Sequence, residues 1–179
     1  MKYIFLIVVI SMLFQFCSSK RVKPSVDLNL NTQELPSQES WNSVITFTDS
    51  GKTKAILWTG HLRKFDDKRE TFLDKNVKVD FYNDEQIKTS TLTSKKGRVD
   101  ETTNNLYAID SVVVFSDSVT IRTEEMMWRN KDRKIVSDKF VTVVSPQEKI
   151  EGYGFESDQN LKNYVIYNIT YVTRADTTQ

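Results

Sequence analysis

Few residues in this 179-residue chain can do chemistry on their own, and each stands alone or in pairs. His61 is the single histidine and Cys17 the single cysteine. No disulfide can form within the chain, and no metal site can be built from cysteines. A Ser–His–Asp triad, a Cys–His pair or a His-ligated metal would each have to use His61. It follows Gly60 at the end of an apolar run, with neither nucleophile nor orienting partner at a diagnostic spacing, so a surface or core histidine accounts for it. Asp66-Asp67 and Glu124-Glu125 are paired carboxylates, the residue type of glycosidase chemistry. Both pairs lie beside turn signals, where solvated acids are common. Gly152-Tyr153-Gly154 sits inside a β pattern, not between a strand and a helix, so it reads as a bulge or a close backbone approach and not as a phosphate loop. Met126-Met127-Trp128 would suit a greasy ligand or an ordinary core.

The elements that would position these residues are strands. From Trp41 onward the apolar pattern has period two, with β-branched residues dominant. Runs are broken at Asp49-Ser50-Gly51, Phe65–Lys68, Tyr82–Glu85, Lys95–Gly97 and Thr102–Asn105, all turn chemistry. Short strands at this spacing predict an all-β sandwich, roll or solenoid. Residues 61–64 and 123–130 are the only stretches with a helical look, and neither is long enough to be a stable helix alone.

A pattern also recurs. Phe72–Val77, Tyr107–Val112, Ile135–Phe140 and Tyr164–Ile169 each read apolar, then a short polar pair or trio, then apolar. Each leads into a second apolar run. A step of roughly thirty residues is the mark of one supersecondary unit used several times. Such a unit has one apolar face, which either closes into a core or splays into a groove. A stack of units ends in unpaired strands that invite β-augmentation.

The N-terminus is of a different kind. Tyr3–Phe16 is apolar save Ser11 and Gln15, too short for the ~20 residues of a spanning helix but suited to the h-region of an export signal. Cys17 follows directly, as in a bacterial lipoprotein, whose thiol carries a diacylglycerol. Phe16 stands where such signals carry a small residue. An uncleaved inner-membrane anchor and plain cleavage are therefore the alternatives, and all three export the chain. Residues 1–17 are thus the signal or anchor, 18–40 a polar tether in which Val26, Leu28 and Leu30 alternate, 41–174 the β domain and 175–179 a tail. Lys plus Arg total 25 against 24 Asp plus Glu, which excludes a general nucleic-acid binder.

Ser118–Trp128, Lys134–Val143 and Ile150–Asp158 together resemble the LptC family of lipopolysaccharide-export components. Trp128 stands at the family's tryptophan, Met126 or Met127 at a leucine, and Gly152, Gly154 and Phe155 in its glycine turn. The resemblance runs more weakly back to Trp41. It implies an open, twisted β-jellyroll of the OstA/LptA-like kind, a single domain with no catalytic residue and no cofactor. It further implies a periplasmic carrier, anchored by an acylated Cys17 or the apolar segment. The carrier would take lipid A acyl chains from an inner-membrane ABC transporter and pass them through edge-strand pairing to an LptA-like bridge protein. On alternation, Phe81, Ile87, Phe115, Ile121, Val143, Ile150 and Phe155 are expected to line the groove, with Val114 on the opposite face. A one-residue slip would invert that assignment. A closed-core exported scaffold and a polysaccharide-active enzyme remain as alternatives.

Overall fold

The structure is a computed structural model that describes residues 35–174. These form ten strands: β1 Gln38–Asp49, β2 Lys52–Phe65, β3 Glu70–Tyr82, β4 Lys88–Ser94, β5 Lys96–Asp100, β6 Asn105–Phe115, β7 Thr120–Arg129, β8 Lys134–Val144, β9 Glu148–Asp158 and β10 Tyr164–Arg174. All pair antiparallel in one sheet of order β1-β2-β3-β4-β6-β7-β8-β9-β10. β5 lies between β3 and β6 as the continuation of β4. Every connection but the β4–β5 break is a hairpin to the neighbouring strand. The all-β jellyroll-like expectation therefore holds, and the described residues contain no helix.

Three local expectations are corrected. Residues 61–64 are strand within β2, and 123–130 are strand through Arg129. Glu124, Glu125, Met126 and Met127 favour helix intrinsically, but pairing of Glu125–Met127 with β6 and of Thr123 and Met127 with β8 outweighs a preference of a few tenths of a kcal/mol per residue. Residues 38–40 belong to β1 and not to the tether. Cys17, the rest of 1–34 (with the alternating Val26, Leu28 and Leu30) and 175–179 lie outside the described residues.

The recurring polar pairs turn out to mark a corner. Register shifts fall between Thr59 and His61 in β2, Ile109 and Val112 in β6, Thr123 and Met127 in β7, Ser137 and Phe140 in β8, and Ile169 and Tyr171 in β10. In the fourth strand position the chain breaks outright at Lys95, between β4 and β5. Lys75-Asn76 and Asp110-Ser111 carry the bulges with positive φ, from 55 to 67°. A bulge bends its strand and raises the local twist. A row of them across the sheet folds it over. Each apolar–polar–apolar unit is therefore one bent strand, not a lead-in followed by another strand.

Bulges leave carbonyls without ladder partners, and short hydroxyl side chains take them. Thr59 Oγ1 donates to the Asp74 carbonyl (2.9 Å), Ser94 Oγ to that of Lys96 (2.8 Å), Thr123 Oγ1 to that of Phe140 (2.8 Å) and Ser137 Oγ to that of Glu125 (2.7 Å). Gly60 lets β2 pass close to the β3 bulge: a Cβ there would lie 2.5 Å from the Lys75 carbonyl oxygen.

Folded at the corner, the sheet brings strand ends together that are remote in sequence. Phe47 and Phe81 meet the Trp128 indole at 5.9 and 5.8 Å between ring centroids. Ser90 Oγ donates to the Gln159 carbonyl (2.6 Å), and Gln159 Nε2 donates to the Tyr82 carbonyl (3.1 Å). Asp49 in the first hairpin pairs with Arg133 in the β7–β8 turn. This seam is bridged by side chains alone. β1 and β10 each have one strand neighbour, so the roll is not a closed barrel.

Candidate functional site

The inward face carries one apolar rung through the whole sheet. Cross-strand pairing runs Ile45–Leu57–Val79–Leu92–Val114 from β1 to β6. It continues Ile121–Val143–Ile150–Val172 from β7 to β10. The middle of the rung is buried outright, from Leu57 to Ile121 at 0% exposure, and Val143 is at 1%. Ile45 and Ile150 are half-buried, and Val172 at the β10 edge is exposed. Beyond the corner a second buried row passes through Val99, Leu106, Trp128 and Ile135. Every strand but β5 supplies one aliphatic residue to the first rung because the pleat points alternate residues to one face.

The expected lining residues fall on both faces. Phe81, Ile121, Val143 and Phe155 are buried in the interior, and Ile150 shares the rung. Phe115 does not: it pairs with Thr120 while Val114 pairs with Ile121, so Phe115 faces outward and is 43% exposed. Val114 takes the inward place. The four-residue turn 116–119 sets that register, and its length decides the face. Ile87 is not in a strand. The Asn83 side chain accepts its N–H (2.9 Å), and its carbonyl accepts the Asn83 N–H (3.0 Å), so it sits at the close of an Asx turn, exposed. Leu57, Val79 and Leu92 belong to the rung and were missed. Their signal was present in the i, i+2 alternation, but the bulge within each strand hides the phase.

The candidates for catalysis do not converge. His61 Nε2 lies 2.7 Å from Glu39 and its ring stacks on Trp41 at 5.2 Å, on the β1 side of the sheet. Asp66 is in the β2–β3 turn beside Lys64 (3.4 Å). Glu124 and Glu125 sit at the corner of β7, with Lys139 4.0 Å from Glu125. Met126 and Trp128 are interior. Gly154 has φ +76° and lies under the Tyr167 ring. Among the described residues no three His, Cys, Asp or Glu side chains gather as a metal site.

The surface ion pairs tune carboxylates in one direction. Glu156 is held below its usual range by hydrogen bonding to Lys134 and then by the Arg129 guanidinium. Asp132 is lowered chiefly by its hydrogen bond to Arg129, and Asp84 by that to Lys54. Partial burial raises the Tyr164 phenol.

The two free edges differ in character. β10 exposes Val165, Tyr167, Ile169, Tyr171 and Val172, each 46–63% accessible. A long apolar strand with unpaired backbone groups is a template for another strand. β1 exposes Trp41 and Val44 in the same way, with polar residues between. A bent antiparallel roll with an edge-to-edge apolar interior and two unpaired edges defines an open jellyroll-like module. The family model described as "Lipopolysaccharide-assembly, LptC-related" matches residues 3–172, and the chain belongs to that family. It is accordingly a periplasmic component of lipopolysaccharide transport. No match is found among curated proteins. Among the described residues no helix is long and apolar enough to cross a membrane.

Proposed function

We propose that this chain receives the acyl chains of lipid A in the interior of the roll and passes them along the apolar rung to a second β-roll docked on an unpaired edge. The observation that carries this reading is the continuity of the rung from Ile45 to Val172, buried in the middle and open at the β10 edge. A scaffold needs a core, but not one that runs out to a bare, apolar edge strand. Each methylene kept from water is worth about 0.8 kcal/mol, so a ten-carbon chain in transit needs roughly 8 kcal/mol of shelter. An apolar interior supplies that shelter with little net gain over a bilayer. Direction must then come from elsewhere, namely the ATP used by an inner-membrane ABC transporter. No catalytic residue is required of this chain. In the same reading the donor is that transporter, the acceptor is an LptA-like bridge protein pairing with an edge strand, and Cys17 or the apolar N-terminal segment holds the domain at the membrane.

In this structure the interior side chains meet one another across the seam. Uptake therefore requires the two halves to part along it. The contacts to be broken are few: the Asp49–Arg133 pair, the Gln159 contacts to Tyr82 and Ser90, and the packing around Trp128. The same packing favours a second reading, a closed-core exported scaffold with no lipid ligand.

Site-specific photo-crosslinking in a host with an active transporter separates the two. A photoreactive side chain at Val114 is expected to give a lipopolysaccharide adduct that depends on transporter ATP hydrolysis. The same group at Phe115, one residue away on the outer face, is expected to give none. Equal adducts at both positions, or none at Val114 in a folded protein, would overturn the carrier reading.

A further inference from the structure

A cavity of about 530 Å³ opens at the seam, between the β1–β2 hairpin and the β7–β8 turn. Its floor is the Trp128 indole and its rim includes Thr46, Asp49, Lys54, Lys131 and Arg133. Three features set it apart from the rest of the surface. Trp128 is 2% exposed, and its Nε1–H has no acceptor. A buried donor left without a partner is costly, so the floor favours an incoming acceptor. Lys54 is 5% exposed, and its ammonium is paired with Asp84, a carboxylate that is itself 72% exposed. Such a partner competes with water and leaves two of the three ammonium donors for a ligand. Finally, cations exceed carboxylates. Lys52 and Arg133 both act on Asp84, so Lys52, Lys54, Lys131 and Arg133 stand against Asp49 and Asp84. Asp132, the other acid of the β7–β8 turn, is directed to Arg129 at 2.6 Å.

We propose that this pocket binds a phosphate group of a glycolipid headgroup, with Lys54, Lys131 and Arg133 as the cations and the Trp128 N–H as a fixed neutral donor. The anion site stands on the pocket itself; its assignment to a lipid headgroup rests on the carrier function proposed above. Geometry joins the two. Phe47, also in the pocket lining, and the buried Phe81 pack against the indole, so a headgroup at the rim would leave its acyl chains directed toward the apolar interior. The cations sit on opposite sides of the seam, Lys54 on β2 and Lys131 and Arg133 in the β7–β8 turn. A phosphate between them would exchange the direct Asp49–Arg133 pair for a bridged one.

The test uses the full-length chain in a non-ionic maltoside detergent, with ¹⁵N-labelled tryptophan. Three indole resonances are expected, from Trp41, Trp58 and Trp128. The probes are inorganic phosphate, a bisphosphorylated lipid A and the same lipid A without phosphates. The bisphosphorylated lipid A is expected to move the Trp128 indole resonance saturably, and the phosphate-free form to bind at least ten-fold more weakly. Lys131→Gln combined with Arg133→Gln, both on exposed side chains, is expected to remove most of that ten-fold difference. Equal affinity for the two lipids would overturn the phosphate site and leave the carrier function standing. A Trp128 shift with inorganic phosphate, in a protein that binds neither lipid, would keep the anion site but overturn both its lipid assignment and the carrier reading. No Trp128 shift with any probe would overturn the site altogether.

Discussion

Replacing Gly152 by alanine tests whether β10 is held as a separable edge. Gly152 lies in β9 opposite Ile169 of β10, just before the β10 bulge. A Cβ built there would sit 2.8 Å from Ile166 Cγ2 and 3.0 Å from Ile169 Cα, and closer still to the Asn168 carbonyl oxygen. Ordinary van der Waals contact begins near 3.4 Å. β10 must therefore move out by at least roughly 0.6 Å at its centre, and two of the three obstacles are backbone atoms that cannot rotate away. Overpacking of this kind typically costs about 1–3 kcal/mol. Because β10 pairs with no strand other than β9, the cost should fall on local opening of that strand. At 1.4 kcal/mol per factor of ten, amide exchange across Tyr164–Arg174 should accelerate by about 5- to 150-fold. Exchange in β3, β6 and β7 should keep its protection. Hydrogen exchange read by mass spectrometry resolves the two regions, and coupling to the bridge protein proposed above should weaken in parallel. If β10 exchange were unchanged, or if all strands accelerated together, the argument that β10 is an independently attached edge would be wrong.

Three further outcomes follow from the same geometry. Leu92→Ala, in the middle of the rung at 0% exposure, should cost about 2–5 kcal/mol in urea denaturation. Phe115→Ala on the outer face should cost under about 1 kcal/mol, and similar losses for the two would refute the assignment of faces. Tyr171→Lys on β10 should leave the melting temperature nearly unchanged yet reduce co-purification of the proposed bridge protein. Undiminished recovery would argue against docking at that edge. Acid should destabilise the domain: Asp84, Asp110, Asp132 and Glu156 have folded-state pKa values lowered by hydrogen bonds and neighbouring cations, and Asp100 by hydrogen bonds from Thr102 and Thr103. Their contribution is present above the unfolded carboxylate values near about 4 and is lost as pH falls through the lower folded values. Urea midpoints should fall between pH 5 and pH 2, and a midpoint that rose with acid would contradict the ion-pair geometry.

Alternation and turn chemistry determined, without any coordinates, that Trp41–Arg174 is strand and turn. Asp49-Ser50-Gly51, Phe65–Lys68 and Tyr82–Glu85 were legible as turns because their residue types tolerate bends that strands do not. The repeat was legible too, through Asp74-Lys75-Asn76, Asp110-Ser111 and Asp138-Lys139, and so was the family through Trp128 and the Gly152–Phe155 segment. What those polar pairs do was not. Read along the chain they separate two strands; in the sheet they bend one strand, because a bulge exists only relative to a neighbour that keeps its own register. For the same reason Phe115 and Val114 exchanged faces. Side-chain direction has period two, so it depends on how many residues a turn or bulge consumes, and the partner strand sets that number. Local propensity misled at Glu124–Met127 because the β6 ladder along Glu125–Met127, and β8 pairing at Thr123 and Met127, supplied hydrogen bonds that helix preference could not match. Nothing in the linear order joins Lys54 to Arg133 or Trp128 to Phe47. The seam that brings them together forms only when a row of bulges folds the sheet, and that depends on every strand at once.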